Sequence, residues 1–249
     1  MTSIKTEQNC GTYNTCKKTS TRMLGFFSER KLKMDYNKIG IDAMQEGDFE
    51  KAAEAFTKAI EENGQDPVPY INFANLLSSV NELERALAFY NRALELDNSA
   101  AAAYYGAGNV YVMKESFPEA KDMFEKALRS GMENGDLFYM LGTVLVKLEQ
   151  PKLALPYLQR AVELNENDTE ARFQFGMCLA NEDMLDEALA QFETVIEQDP
   201  SHADAFYNAG VAYAYKENRE KALEMLEGAI GIQPDHMLAL HAKQLITQS

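Results

Sequence analysis

The sequence has no tryptophan, and only three cysteines, three histidines and seven prolines in 249 residues. Three scattered cysteines cannot staple a disulfide scaffold. None of the histidines has a cysteine or a second histidine at metal-ligand spacing, so no metal and no cofactor is expected. No run of about 18 apolar residues exists, which removes a membrane-spanning helix from the expectations. Residues 1–21 are polar and lack the apolar stretch of a secretory signal peptide. These absences point to a cytoplasmic protein with no membrane partner. The balance of 46% hydrophobic and 25% charged residues excludes wholesale disorder.

Positive charge is also scarce, and it is unevenly spread. The net charge is −15, yet residues 1–33 hold seven Lys or Arg against Glu7 and Glu29, so that arm carries +5. The remainder therefore carries −15 − 5 = −20. Affinity for nucleic acid depends on Lys and Arg displacing condensed counterions. A body this acidic repels phosphate, and nucleic acid is not an expected partner.

What the chain does have is a period. In blocks of 34 beginning at Lys33, the twentieth position reads Ala52, Ala86, Ala120, Ala154, Ala188 and Ala222. The eighth reads Gly40, Ala74, Gly108, Gly142, Gly176 and Gly210. The twenty-fourth is always bulky: Phe56, Tyr90, Phe124, Leu158, Phe192 and Leu226. The twenty-seventh is Ala in five blocks and Val195 in the fifth. Within each block, apolar residues recur at three- and four-residue spacing in two runs, which predicts a pair of amphipathic helices. Turn-forming clusters such as Glu46-Gly47-Asp48 and Lys114-Glu115-Ser116 separate the runs. Small residues at positions eight, twenty and twenty-seven let two backbones approach, and the bulky twenty-fourth fills the space between them. Pro118 and Pro151 stand where second helices should begin. Pro156 lies deeper and predicts a local kink. Cys178 falls inside an apolar helical pattern, where it should act as a small buried hydrophobe.

These columns resemble the tetratricopeptide repeat family. In the third block Tyr104, Gly108, Tyr111, Ala120, Phe124 and Ala127 follow the family pattern, as do Phe206, Gly210, Tyr213, Ala222, Ala229 and Pro234 in the sixth. Arg172 departs from it, standing where a bulky fourth residue is usual. The resemblance implies an all-α fold, a right-handed α-α superhelical solenoid of six helix hairpins at 33–66, 67–100, 101–134, 135–168, 169–202 and 203–236. Residues 1–32 are then a flexible basic arm, and 237–249 a C-terminal capping helix. Met237–Thr247 reads as a solvating cap, because a terminal repeat must otherwise expose its apolar face.

The sequence holds no constellation of positioned acids, bases, nucleophiles or metal ligands. His202 and His236 fall in turns between blocks and His241 on the last helix, so each reads as a surface histidine. Gly106-Ala-Gly108 lies inside a repeat helix and follows no strand, unlike a phosphate-binding loop. The expectation is a non-enzymatic protein.

The resemblance also implies where partners bind. In the family, the first helix of each pair lines a concave surface through positions two, five, nine, twelve and thirteen. Position five supplies a ladder of Tyr105, Tyr139, Phe173 and Tyr207. Amides come from Asn72, Asn75, Asn109 and Asn208, with Thr143 and Met177 beside them. Acids at position two, Asp136, Glu170 and Asp204, line the rim. Amides suit an extended backbone because each offers donor and acceptor. The family's Lys/Arg clamp for a C-terminal carboxylate is missing: the corresponding positions hold Asn37, Ile41, Asn72, Ala102 and Gly106. The expected partners are other proteins, bound through extended neutral-to-basic peptide segments, and the protein's own N-terminal arm in cis or in trans. Self-assembly, or assembly of a larger complex, through convex or end surfaces is the alternative.

Overall fold

The structure, a computed structural model, describes residues 34–248, and its regular structure there is entirely helical. Thirteen helices follow one another: α1 (Tyr36–Gln45), α2 (Phe49–Glu62), α3 (Pro67–Ser79), α4 (Leu83–Leu96), α5 (Ala101–Met113), α6 (Phe117–Arg129) and α7 (Gly135–Lys147). They continue with α8 (Pro151–Leu164), α9 (Thr169–Asn181), α10 (Leu185–Gln198), α11 (Ala203–Tyr215), α12 (Arg219–Ile232) and α13 (Met237–Gln248). The arm assigned to residues 1–32 lies outside the described residues.

One turn, used six times, makes the hairpins. The fifteenth position of every block has positive φ: Gly47 (78°), Asn81 (62°), Glu115 (56°), Glu149 (58°), Asp183 (60°) and Glu217 (59°). In each case the amide of the next residue reaches back to the carbonyl of the eleventh position, as Ser116 does to Tyr111 at 2.9 Å and Asn218 to Tyr213 at 2.9 Å. The fifteenth amide itself bonds to the twelfth carbonyl, as Glu115 does to Val112 at 2.9 Å. This is the Schellman arrangement, which satisfies the orphan carbonyls at the end of the first helix and turns the chain into the second.

Starts are handled by side chains. Asp66, Asn134 and Asp168, each the last residue of its block, accept from the backbone amides of Val68, Leu137 and Ala171 at 3.0 Å. Pro67 and Pro151 occupy first-turn positions of α3 and α8, where a missing N–H costs nothing. Helix α8 continues through Pro156 to Leu164 without a break.

Packing follows the columns. All six alanines at position twenty are 0% exposed, and the six bulky residues at position twenty-four are buried. A fully buried ring or leucine is worth about 1.5–3 kcal/mol. The glycines at position eight make room for it. A Cβ on Gly108 would fall 2.5 Å from Phe124, and one on Gly142 would fall 2.5 Å from Leu158.

Each helix packs on its neighbours in sequence, and first helices also approach the first helices of adjacent hairpins, as in α1 with α3 and α9 with α11. No pair of second helices packs to a comparable extent among the described residues. First helices therefore crowd together on the inner side, and the second helices splay outward. The result is an all-α solenoid of helical hairpins.

The C-terminal helix lies over the last hairpin and keeps apolar residues on its other side as well. Ala239 is 0% exposed and Ile246 packs inward, but Met237 (74%), Leu238 (60%) and Leu245 (56%) face outward. The reason is register. Residues 237–248 repeat the first-helix pattern, so α13 docks on α11 and α12 as a first helix would, leaving bare the side that a second helix would cover.

Candidate functional site

The inner surface is built by α3, α5, α7, α9 and α11, and each position-five ring lies on one of them. Tyr105, Tyr139, Phe173 and Tyr207 are all half-buried. They do not stack on one another. Tyr105 lies 5.7 Å from Phe124 and Phe173 lies 5.8 Å from Phe192, each resting on the core ring of its own hairpin. Tyr105 and Phe173 therefore each have one face on the core.

The rim acids meet this row across the hairpin boundary. Burial pushes the Tyr105 phenol above its ordinary range; the Asn109 amide, hydrogen-bonded to it, opposes the shift, and the negative charge of Asp136 adds to it. The Tyr139 phenol is raised in the same way, first by burial and then by the charge of Glu170, with the Thr143 hydroxyl opposing. The Tyr105 and Tyr139 phenols thus each feel the charge of the acid at position two of the next hairpin. Asp136, Glu170 and Asp204 are exposed.

Several of the amides are already partly engaged. Asn72 Nδ2 donates to Asn37 Oδ1 at 2.9 Å, linking the first two hairpins. Asn75 accepts from the Tyr90 hydroxyl at 2.5 Å through its Oδ1. Asn208 Nδ2 donates to the carbonyl of Asp204 at 2.8 Å, and Glu170 accepts from Gln174 at 3.0 Å. What remains for a ligand is chiefly the second half of each amide. Asn208 and Met177 line a concavity of about 270 Å³ between α9 and α11; Asn75, Tyr105 and Asn109 line one of about 470 Å³ between α3 and α5.

His236 corrects the reading of the histidines as surface residues, for it is only 7% exposed. Its Nδ1 accepts from the Ala239 amide at 3.2 Å, which caps α13. That places the proton on Nε2, which donates to Asp204 Oδ1 at 3.1 Å. Its ring lies 5.1 Å from that of Tyr207. His202 repeats the pattern one hairpin earlier: its Nδ1 accepts from Ala205 at 3.1 Å, and its ring lies 4.7 Å from Phe173. Two members of the ladder therefore carry an imidazole against them, and Asp204 is a committed acceptor rather than a bare rim charge. The signal was available, since the two histidines stand 34 residues apart at the position that Asp66 and Asp168 use for capping.

A larger concavity, about 560 Å³, lies on a different face of α9, between α8 and α10. There the unusual Arg172 donates to Gln191 Oε1 and to the carbonyl of Glu166, both at 3.0 Å. In two other hairpins an aromatic pair occupies these places, Tyr70 with Phe89 at 6.2 Å and Phe138 with Tyr157 at 6.4 Å. Cys178 is buried and free, its Sγ donating to the Pro151 carbonyl at 3.3 Å. No group of His, Cys, Asp and Glu that could hold a metal occurs among the described residues, and no helix there is long and apolar enough to cross a membrane.

Comparison with known proteins agrees with this architecture. The family model "Tetratricopeptide repeat" matches residues 43–108 and 179–244, and that of "Anaphase-promoting complex, cyclosome, subunit 3" matches 113–195. The TPR repeat-containing protein YrrB of Bacillus subtilis (strain 168) is 88% identical over 40 residues, which is 16% of this chain and 19% of that protein. The crystal structure of YrrB, a TPR protein with an unusual peptide-binding site, aligns with 78% of this chain and 100% of its own, at 88% identity and a TM-score of 0.75. The structural correspondence thus runs far beyond the segment matched in sequence. Pseudomonas aeruginosa pilF shares the fold at 19% identity and a TM-score of 0.72, over 84% of this chain and 96% of its own. MamA of Desulfovibrio magneticus RS-1 does so at 20% and 0.62, over 67% and 94%.

Proposed function

Because this chain belongs to the tetratricopeptide repeat family, we propose that it is a non-catalytic scaffold or adaptor that binds an extended neutral-to-basic peptide segment of a partner protein in its concave groove. The observation that carries this reading is the row of half-buried rings Tyr105, Tyr139, Phe173 and Tyr207 along the inner helices, with the exposed acids Asp136, Glu170 and Asp204 on the same helices. Aromatic faces and exposed carboxylates each attract Arg and Lys side chains. The free halves of Asn75 and Asn109 suit a peptide backbone. That YrrB has a peptide-binding site supports the assignment by likeness.

Ordering an extended segment costs free energy, so affinity should be modest, roughly micromolar. The body's charge of −20 should speed association at low salt and lose its effect as salt screens it. The basic arm, residues 1–32, is a further candidate occupant, in cis or in trans. We place the interaction in the cytoplasm, on the low cysteine content.

The test is a peptide array probed with wild-type protein and with the double variant Tyr139→Ala/Phe173→Ala. Loss of binding at an unchanged circular dichroism spectrum is expected. Array signals equal to those of the wild type would sink the groove reading. One observation favours the second reading, self-assembly through the ends: the outward Met237, Leu238 and Leu245 of α13. Sedimentation showing a mass that rises with concentration, and that Leu238→Glu/Leu245→Glu holds at the monomer, would move it ahead.

A further inference from the structure

The inner surface is not uniform along its length, and the difference starts in the core. In five hairpins a glycine at position eight receives the bulky residue of position twenty-four; the second hairpin has Ala74 there instead. Its ring, Tyr90, lies against the third hairpin, where a Cβ on Gly106 would fall 2.4 Å from Cζ and 2.5 Å from the hydroxyl oxygen. The hydroxyl lies beside Asn75 and holds its Oδ1 at 2.5 Å. Position six, Gly106 here, carries Lys38, Asn72, Met140, Gln174 and Asn208 in the other hairpins, and position two, acidic in the last three, is Ala102.

A concavity of about 470 Å³ lies between α3 and α5, where Tyr90 stands in the place of a position-six side chain and the short Ala102 leaves the rim low. That size lies within the roughly 300–1,000 Å³ typical of ligand sites. Ile71, Ala102, Tyr105, Met113 and Met132 give it apolar walls, and Asn75 and Asn109 stand among them. No Lys, Arg, Asp or Glu lines it. The acids Asp136, Glu170 and Asp204 begin only in the next hairpin. A lining without charge, next to a stretch rimmed with acids, selects a ligand built the same way.

We propose that this concavity is the anchor subsite of the groove, taking one bulky uncharged side chain (leucine, methionine or an aromatic) of a peptide whose basic residues lie over the acids of the last three hairpins. This rests on the groove reading of the preceding section. Methionine-lined walls adapt to more than one apolar shape, so the anchor is read by size and lack of charge. Asn75 fixes the backbone there: with its Oδ1 held by Tyr90, its Nδ2 is oriented to donate to a peptide carbonyl.

The test is selection from a displayed random dodecamer library on three full-length proteins: the wild type, Ala102→Glu, and Tyr139→Ala/Phe173→Ala. Ala102 is exposed, and the substitution supplies the acid that other hairpins carry at that position, so the melting curve should not move. The wild type should select peptides with one bulky apolar position beside basic residues. Ala102→Glu should still select basic peptides but lose the apolar position, and should bind the wild-type consensus peptide roughly tenfold or more weakly, the scale of losing a buried methylene or more. An apolar position kept by Ala102→Glu, or a wild-type consensus of basic residues alone, overturns the subsite and leaves the groove standing. Equal selection by Tyr139→Ala/Phe173→Ala and the wild type, or no selection by the wild type, overturns the groove and the subsite with it.

Discussion

Glu115, Glu149 and Glu217 should each stabilise the protein when replaced by glycine, against the ordinary effect of removing a side chain. All three sit at the turn with φ between 56° and 59°, where a Cβ crowds the following carbonyl. That conformation costs an L-residue roughly 1–2 kcal/mol, and glycine adopts it freely. Glycine returns part of the gain through its greater freedom in the unfolded chain, about 0.4–1 kcal/mol. The net expectation is about 0.5–1 kcal/mol per site. None of the three carboxylates takes part in an ion pair, so little is lost with them. The sites are 34 residues apart or more, and their effects should add to roughly 1.5–3 kcal/mol in the triple variant. Guanidinium denaturation followed by circular dichroism reads this directly. Glu149→Ala is the control, because alanine keeps the Cβ and should give no gain. The converse, Gly47→Ala at φ 78°, should lose about 1 kcal/mol. A triple glycine variant less stable than wild type would refute the strain argument.

Gly108→Ala should destabilise by about 1–2 kcal/mol in denaturant titration. The gain of alanine in a helix, roughly 0.5–1 kcal/mol, is smaller than the overpacking of a Cβ 2.5 Å from the buried Phe124 ring. Burial, with the nearby charge of Glu182, pushes the Cys178 thiol up to about 11. Site-resolved iodoacetamide labelling should leave it unmodified in the native protein at mild alkaline pH and modify it once denatured; because the folded state holds the proton longer, the thiol's contribution to stability should fall as pH rises from 9 towards 11. His236→Ala should remove the cap of α13 and the bond to Asp204, costing about 1 kcal/mol, and hydrogen exchange should speed up selectively along Met237–Gln248 while α1–α6 keep their protection.

Legibility in the sequence followed chemistry that repeats with one residue type. Alanine at 52, 86, 120, 154, 188 and 222 announces its close packing, and every one of these residues is sealed in the core. Cys178 reads as a small hydrophobe from its helical neighbours and is buried. The left-handed turn residue was legible only at Gly47. At the other five positions the turn is imposed by the packing of the two helices it joins, and Asn, Asp or Glu tolerates it. Capping histidines were hidden for a related reason: His202 and His236 use a ring nitrogen for the task that Asp66 and Asp168 perform with a carboxylate. The outward face of α13 follows from its register as a first helix.

Core and inner surface are coupled in this solenoid, and the coupling decides what a partner meets. At position twenty-four a phenylalanine or leucine fills the space over the position-eight glycine of its own hairpin. Tyr90 is different: with Ala74 in the glycine's place, its ring presses on the next hairpin and its buried hydroxyl bonds to Asn75. Gly106 is then required, because any Cβ would collide with the ring. A change at Ala74, three positions from the inner row at Ile71, would therefore alter the floor between α3 and α5 by letting Tyr90 return to its own hairpin. Ala74→Gly tests this without touching a residue of that floor. The hydrogen bond to Asn75 should be lost, and the Tyr90 phenol, now raised by burial, should remain buried. A crystal structure of the variant with the Tyr90–Asn75 bond intact would separate core from surface and leave Gly106 without this explanation.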